Sequence, residues 1–356
     1  MGPEEPGQNR IARPTGRRHT ARVKILVNCP LPFAFAHGGQ AIQIQQTMAA
    51  LAGIGLAVEP LRWWDETQTG NLILYFGRMP ADQIRFAHQK GFKVVISDLL
   101  TAQGSQNLAQ RAARRGFRWF AEHLAPRAFA QAFQWEPYRL ADGFLTLTAW
   151  EKYLMEYKFG ADPKKIFVVP NGVEDAFFQA PATPRGEWLV CTATITERKR
   201  VLEFAQAAVA AQTPTWIIGK AYSENDGYAQ KFFALAKANP KFIRYEGGIS
   251  DRVRLATIYR AARGFVLLSA MESLSLSALE AAACECPLLL SDLPWARSSF
   301  AGTAEFCPVT ETTSITAAAL RKFYDAAPQL PRPSKPATWP DVAHQLAAVC
   351  EKILAA

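Results

Sequence analysis

Short apolar runs alternate with helical patterns along this sequence, and the alternation begins again after a proline-containing break. The first run covers residues 23–28, the second series starts at 188–191, and the break is 178–187. Strands that alternate with helices favour parallel sheets, because parallel strands need long crossover connections. The pattern therefore predicts an α/β fold with two doubly wound, Rossmann-like domains and a cleft between them. In such sheets, ligands bind beyond the carboxyl ends of the strands.

The individual elements follow from hydrophobic periodicity. The predicted strands are residues 23–28, 72–76, 94–96, 143–147, 188–191, 215–219, 242–245, 264–268 and 287–290. The predicted helices are a segment after Gly39 and residues 81–90, 151–159, 201–211, 228–238 and 340–354. A chain of 356 residues is too long for one ordinary core, so we expect one domain at 23–180 and another at 181–338.

Charge and hydropathy limit the classes of protein to consider. The net charge is +9, which favours anionic partners. Residues 1–22 are polar and rich in arginine, so they predict a disordered basic tail with no signal peptide. No apolar run reaches the ~18 residues that a membrane helix needs. We therefore expect a cytoplasmic protein.

Residues 267–292 are the most informative stretch for chemistry. A strand is followed by a loop with Glu272, then by a helix with Glu280, and Pro287 opens the next strand. Free N–H groups at a helix start, together with the helix dipole, favour a diphosphate. The loop carboxylate is suited to accept hydrogen bonds from sugar hydroxyls, and the helix carboxylate from a ribose diol. This stretch therefore predicts a nucleotide-sugar site.

The same stretch carries a family resemblance. Glu272-x7-Glu280, within Leu-Glu-Ala-x-Ala-Cys-x-x-Pro, resembles the donor-site signature of retaining glycosyltransferases of family four, which have the GT-B fold. Residues 30–39 resemble the family's Gly-Gly loop, 168–177 its segment at the end of the first domain, and 339–343 its tryptophan-led helix. The resemblance covers residues 23–354, and it implies an acceptor-side N-terminal domain, a donor-binding C-terminal domain and a helix, 339–356, that crosses back.

The resemblance also implies roles for individual residues. Glu272 would contact the donor sugar, and Lys199 would contact the donor phosphate, with Arg198 as the alternative cation. The remaining donor-binding residues that it implies are Gly38, Gly39, Ser273, Leu274, Ser275, Leu276 and Glu280. Taken outside the motif, Glu280 would be interpreted as a solvated helix carboxylate.

Several positions depart from the family pattern. Thr194 stands where the family usually has a phosphate-binding arginine, and Ser97-Asp98 stands where it often has His-Asp. We consider Asp98, His37 and His123 as candidates on the acceptor side.

Two further departures concern the backbone of the donor motif. The family commonly has glycine where Ser275 and Glu285 stand. A positive φ at Ser275 would be mildly strained, because side chains disfavour that region.

The resemblance implies transfer of a hexosyl group, with retention, from a nucleotide sugar to a hydroxyl of a glycan or a lipid-linked acceptor. We expect no metal and no cofactor, because Asp251 and Asp292 stand singly and the nucleotide sugar is a substrate. Two alternatives stay open: a catalytically silent GT-B-like module that binds a nucleotide sugar, and a sugar-nucleotide epimerase of similar fold. The spacing of Glu272 and Glu280 argues against the epimerase.

A second motif, residues 111–124, is basic with interleaved aromatic residues. It is typical of an amphipathic helix with a solvated charged face. The alternatives are peripheral contact with acidic lipid at the inner membrane face and a site for an anionic acceptor. We expect no nucleic-acid partner, since no other part of the sequence is typical of a nucleic-acid-binding module.

Overall fold

The computed structural model describes residues 23–30, 38–62, 64–104, 106, 108–123, 135–310 and 312–356, without the side chains of 103, 104, 108–110, 122 and 123. The predicted basic tail, 1–22, and the acceptor-side candidate His37 lie outside the described residues. The side chain of His123 lies outside them as well.

The first lobe is built on a sheet of six parallel strands in the order β2-β1-β3-β4-β5-β6. The strands are β1 (Lys24–Asn28), β2 (Ala57–Pro60), β3 (Leu72–Phe76), β4 (Lys93–Ser97), β5 (Gly143–Thr146) and β6 (Ile166–Val168). All five residues of β3 are buried, because helices cover both faces of a parallel sheet. The helices are α1 (Gly39–Gly53), α2 (Ala81–Gln89), α3 (Thr101–Gly104), α4 (Leu108–His123), α5 (Pro137–Leu140) and α6 (Ala149–Phe159). The next helix, α7 (Asp175–Gln179), packs against helices of the second lobe.

The second lobe repeats this architecture, with the strand order β12-β11-β10-β7-β8-β9. The strands are β7 (Leu189–Thr192), β8 (Thr215–Ile218), β9 (Ile243–Glu246), β10 (Gly264–Leu267), β11 (Leu288–Ser291) and β12 (Glu305–Cys307). The helices are α8 (Val201–Ala210), α9 (Gly227–Ala238), α10 (Arg252–Ala261), α11 (Leu276–Ala283), α12 (Pro294–Phe300), α13 (Thr313–Ala326) and α14 (Trp339–Ala355). Read from β9, this is the 3-2-1-4-5-6 order of dinucleotide-binding sheets.

The predicted fold class, two doubly wound α/β units, is confirmed. Three strands were missed: β2, β6 and β12. All three are outer strands of their sheets, and none is buried along its whole length. β2 and β12 lack the continuous apolar run of a central strand, and β6 is apolar but only three residues long, so periodicity alone does not reveal them.

The last helix, α14, packs against the first lobe although it follows the second. Its capping box pairs Thr338 with Asp341. Trp339 and Leu346 are buried in the same apolar cluster as strand β1 and helix α1. The backbone at Gly172 lies close to the start of this helix. A methyl group there would lie only 2.6 Å from the Trp339 backbone nitrogen. The helix therefore ties the two lobes together.

Candidate functional site

A cleft lies between the lobes, at the points where the strand order of each sheet reverses. In the second sheet, this point falls between neighbours β7 and β10, and in the first between β1 and β3. The cleft has a volume of about 540 Å³. Its lining from the first lobe includes Gly38, Gly39 and Leu147, and its lining from the second includes Lys199 and Glu272. A crevice of this kind is where doubly wound sheets bind ligands.

Glu272 lies in the β10–α11 loop, residues 268–275, and its residue surface is only 8% exposed. The Lys199 ammonium donates to its carboxylate, and the Arg198 Nη1 lies 3.3 Å from Glu272 Oε1. Arg198 also donates to the Met271 carbonyl at 3.1 Å. The loop carboxylate is therefore held between two cations at the edge of the cleft.

A short turn places these cations. Residues Glu197–Lys199 form one turn of 3-10 helix after β7, and Arg200 then takes a left-handed φ of 53° before α8 begins. The Ala270 N–H donates to the Arg198 carbonyl at 2.8 Å, so the turn is bound to the loop that carries Glu272. Of the two side chains, Lys199 is 13% exposed and Arg198 is 40% exposed. Lys199 is therefore the more enclosed cation.

Helix α11 begins where the sequence indicated, but without strain at its cap. Ser275 has a φ of −73°, and its hydroxyl accepts from the Ala278 N–H at 3.4 Å. The expectation that a positive φ could strain Ser275 is wrong, since a serine N-cap takes extended backbone. The left-handed residue is instead Glu285, with a φ of 57°, at the second position where the family commonly has glycine. Leu276 and Ser277, the first two residues of α11, line the cleft, and amides at a helix start have no intrahelical acceptor.

Glu280 is buried in α11, 6% exposed, so it is not a solvated helix carboxylate. Its carboxylate accepts from the Arg252 guanidinium and from the Tyr259 hydroxyl at 3.4 Å. Arg252 also donates through Nε to Glu174 Oε1 at 2.9 Å. Burial raises the pKa of Glu280, and the contact with Arg252 opposes that shift. Arg252 therefore orients the Glu280 carboxylate, which lines the cleft. No sequence pattern marked Arg252, because 28 positions separate it from Glu280.

Gly38 and Gly39 bring the first lobe up to the second. Gly38 has a φ of 142°, which side chains rarely adopt. A methyl group at Gly39 would lie 3.8 Å from a Leu276 methyl carbon, and one at Gly38 would lie 4.0 Å from the Tyr222 hydroxyl. Tyr222, which no sequence pattern marked, also lines the cleft. Both distances are ordinary contacts, so the need for glycine comes from the backbone of Gly38, and the pair places the start of α1 beside Leu276 and Tyr222.

Asp98, the remaining candidate of the first lobe, has its carboxylate engaged elsewhere. It accepts from Arg78 at 3.2 Å and from the Tyr138 hydroxyl, and burial raises the pKa of Tyr138 well above its usual value. The neighbouring Leu99 lines the cleft, whereas Asp98 is not among the lining residues. The structure therefore does not bring Asp98 together with Glu272.

Residues 111–123 of the basic motif form most of helix α4, which packs on α6. Arg111 lies over the Trp150 ring at 4.6 Å, and Arg115 lies over Tyr157 at 4.3 Å. Among the described residues, no helix combines the length and the hydropathy needed to cross a bilayer. Nor do the described residues contain a group of three or more His, Cys, Asp or Glu side chains suited to hold a metal ion.

Comparisons with known proteins agree with this architecture. The chain superposes with a TM-score of 0.68 on sucrose-phosphate synthase from Thermosynechococcus elongatus, at 17% identity, covering 94% of this chain and 100% of the other. It superposes with a TM-score of 0.61 on Anabaena HepE in complex with UDP and glucose, at 12% identity, covering 93% and 100%. The chain has the GT-B fold. A comparison with curated proteins gave no match.

Sequence similarity within this GT-B chain is concentrated in the second lobe. Residues 186–325 match the model of the family described as Glycosyl transferases group 1. That range contains Lys199, Glu272 and Glu280, the three charged residues of the cleft on which the interpretation of the sequence depends. The family match and the fold together support a glycosyltransferase.

Proposed function

We propose that this GT-B chain is a metal-independent, retaining glycosyltransferase that moves a hexosyl group from a nucleotide sugar to an acceptor hydroxyl. The observation that carries the proposal is the buried Glu272 carboxylate, held by Lys199 beside the first turn of α11. A carboxylate in that place is suited to bind sugar hydroxyls, while the cation and the helix start are suited to a diphosphate. HepE, which shares the fold, was solved with UDP and glucose, and this supports a donor of that class.

Lys199, Arg198 and the amides of residues 273–276 supply the electrostatic part of the proposed mechanism. The bond from the anomeric carbon to the diphosphate oxygen breaks, and the acceptor oxygen forms its new bond on the same face of the sugar. The acceptor proton passes to the leaving phosphate oxygen, so no protein nucleophile is needed. Preorganised cations and N–H donors would stabilise the charge that develops on the diphosphate.

The direct test is a transfer and hydrolysis assay with UDP-, GDP-, ADP- and TDP-sugars, preceded by a thermal-shift screen of the same ligands. A ligand that binds the folded state raises its apparent stability, so the screen identifies the base and the sugar. A glycosyltransferase hydrolyses its donor slowly without acceptor. A donor that binds without any turnover would instead support the silent module, an alternative favoured by Thr194 in place of the family's phosphate-binding arginine.

Glu280→Ala is expected to weaken the binding of the nucleoside diphosphate by ~1–3 kcal/mol, as for a lost hydrogen bond to a charged group. Titration calorimetry with UDP measures the change, and the matched control is Glu305→Ala, which removes an exposed carboxylate of the same lobe. Unchanged affinity in Glu280→Ala would show that the ribose role is wrong.

The same variant has an expected pH signature. Because burial raises the pKa of Glu280, this carboxyl takes up its proton at a higher pH than an ordinary glutamate as the solution is acidified. Protonation removes the charged acceptor, so the affinity of the wild-type protein for UDP should fall as the pH is lowered. The fall that is due to Glu280 should be absent in Glu280→Ala.

Transfer is expected to survive EDTA, because the proposed charge stabilisation comes from Lys199 and Arg198. The measurement is the initial rate of transfer with and without EDTA, with manganese or magnesium added back. A rate that collapses in EDTA and returns with either ion would contradict the proposal.

Fewer observations support the proposal for the acceptor side of the cleft. A glycan or lipid-linked acceptor would enter over the first lobe, where Leu99, Thr101 and Leu147 line the cleft. Peripheral contact of helix α4 with an acidic membrane, and with it a place at the cytoplasmic membrane face, stays a prediction. It is supported by the arginines of α4 and by the exposed ring of Phe120.

A further inference from the structure

A buried carboxylate of the first lobe, Glu151, has no role in the proposed transfer, yet it contacts Ser273, which lines the cleft. Glu151 is 1% exposed and occupies the first turn of helix α6. Its own N–H donates to the Thr148 hydroxyl, the N-cap of that helix, at 3.1 Å. The cap holds the glutamate at the helix start, which is the end of α6 that follows the carboxyl end of β5.

Three donors from three different loops converge on this carboxylate. The Leu100 N–H donates at 3.1 Å from the loop after β4, and the Leu147 N–H donates at 2.8 Å from the loop after β5. The third donor is the hydroxyl of Ser273, which belongs to the second lobe. One first-lobe side chain therefore holds two first-lobe loops and the β10–α11 loop at a single point.

The contact is close to the proposed chemistry without being part of it. Ser273 is 6% exposed, lines the cleft and directly follows Glu272. Glu151 itself is not among the lining residues. A buried carboxylate is costly to leave with fewer donors, so the hydroxyl of Ser273 adds to the two first-lobe N–H groups that stabilise Glu151. Burial raises the pKa of Glu151, and the hydroxyl of Ser273 opposes the shift, which is consistent with that cost.

We propose that Glu151 is a positioning residue that fastens the β10–α11 loop to the first lobe and thereby sets where Glu272 presents the donor sugar to the acceptor. The inference rests on the proposed function, because it assigns Glu272 to the sugar. The hydrogen bond from Ser273 to Glu151 joins the lobes beside the sugar position, whereas Glu280, at the nucleotide position, takes its hydrogen bonds from Arg252 and Tyr259. Loss of the bond should therefore affect transfer and loop order more than nucleotide binding.

Ser273→Ala tests this with the smallest change, removing one oxygen. We expect kcat for transfer to fall about ten-fold, with affinity for UDP within about two-fold of wild type. Hydrogen exchange of the amides at 272–276 should become faster in the same variant. The matched control is Ser298→Ala, whose hydroxyl donates within its own helix, α12, to the Trp295 carbonyl at 3.0 Å.

Glu151→Gln removes the charge from the other partner and should also lower kcat. Its control is Glu156→Gln, at a half-buried glutamate of the same helix. If Glu151→Gln fails to fold, Ser273→Ala still decides the matter. Unchanged kcat and unchanged exchange in Ser273→Ala would overturn the proposal. If the wild-type chain transfers no sugar from any donor, the proposed function fails, and the exchange measurement alone then tests whether the contact orders the loop.

Discussion

Glu272→Gln is expected to reduce sugar transfer by about ten- to a thousand-fold, because a charge-assisted hydrogen bond is roughly twice as strong as a neutral one. The substitution keeps the size of the side chain and one acceptor oxygen, and removes the charge that pairs with Lys199. Affinity for the free nucleoside diphosphate should stay within about two-fold, since that ligand has no sugar to lose. Steady-state transfer rates and calorimetry with UDP measure the two effects separately.

The control for this experiment is Glu197→Gln, which removes an exposed carboxylate from the same 3-10 turn as Lys199. This variant should leave the transfer rate and the affinity for UDP near their wild-type values. Transfer that barely changes in Glu272→Gln would mean that Glu272 is only a local charge partner for Lys199. Nucleotide affinity that collapses together with transfer would mean that Glu272 supports the loop rather than the sugar.

Lys199→Met is expected to lower kcat by about a hundred- to a thousand-fold, the range found when one preorganised donor to a developing negative charge is removed. The side chain is enclosed, 13% exposed, so bulk water does not replace the lost cation fully. UDP affinity should fall as well, but less than kcat, because charge on the diphosphate grows as the bond to the sugar breaks.

Measuring Arg198→Met in parallel decides which of the two cations, Lys199 or Arg198, contacts the donor phosphate. Because the Arg198 side chain is 40% exposed and also donates to the Met271 carbonyl, we expect the smaller loss of kcat there. Lys237→Met, at the end of helix α9, controls for the loss of a positive charge from the second lobe. The opposite ranking of the two cation variants would assign the phosphate role to Arg198.

The sequence predicted the strand, loop and helix around Glu272 and Glu280 well because these parts are adjacent in the chain. A strand, a loop with Glu272 and a helix with Glu280 follow one another within 264–283, and the structure places all three as expected. Predictions that needed partners distant in the sequence were less complete. Asp98 was a candidate for the cleft, but its carboxylate pairs with Arg78 and Tyr138, which lie 20 and 40 positions away.

By itself, the sequence determined the two doubly wound units and the place of Glu272 and Glu280, because hydrophobic periodicity and loop position are properties of adjacent residues. Only the tertiary structure decided which charges meet. Arg252 reaches Glu280 across 28 positions, and Ser273 reaches Glu151 across 122. The physical reason is that strand order in a doubly wound sheet departs from chain order. Loops distant in the sequence therefore converge at the carboxyl ends of neighbouring strands, and in this chain they also meet across the cleft.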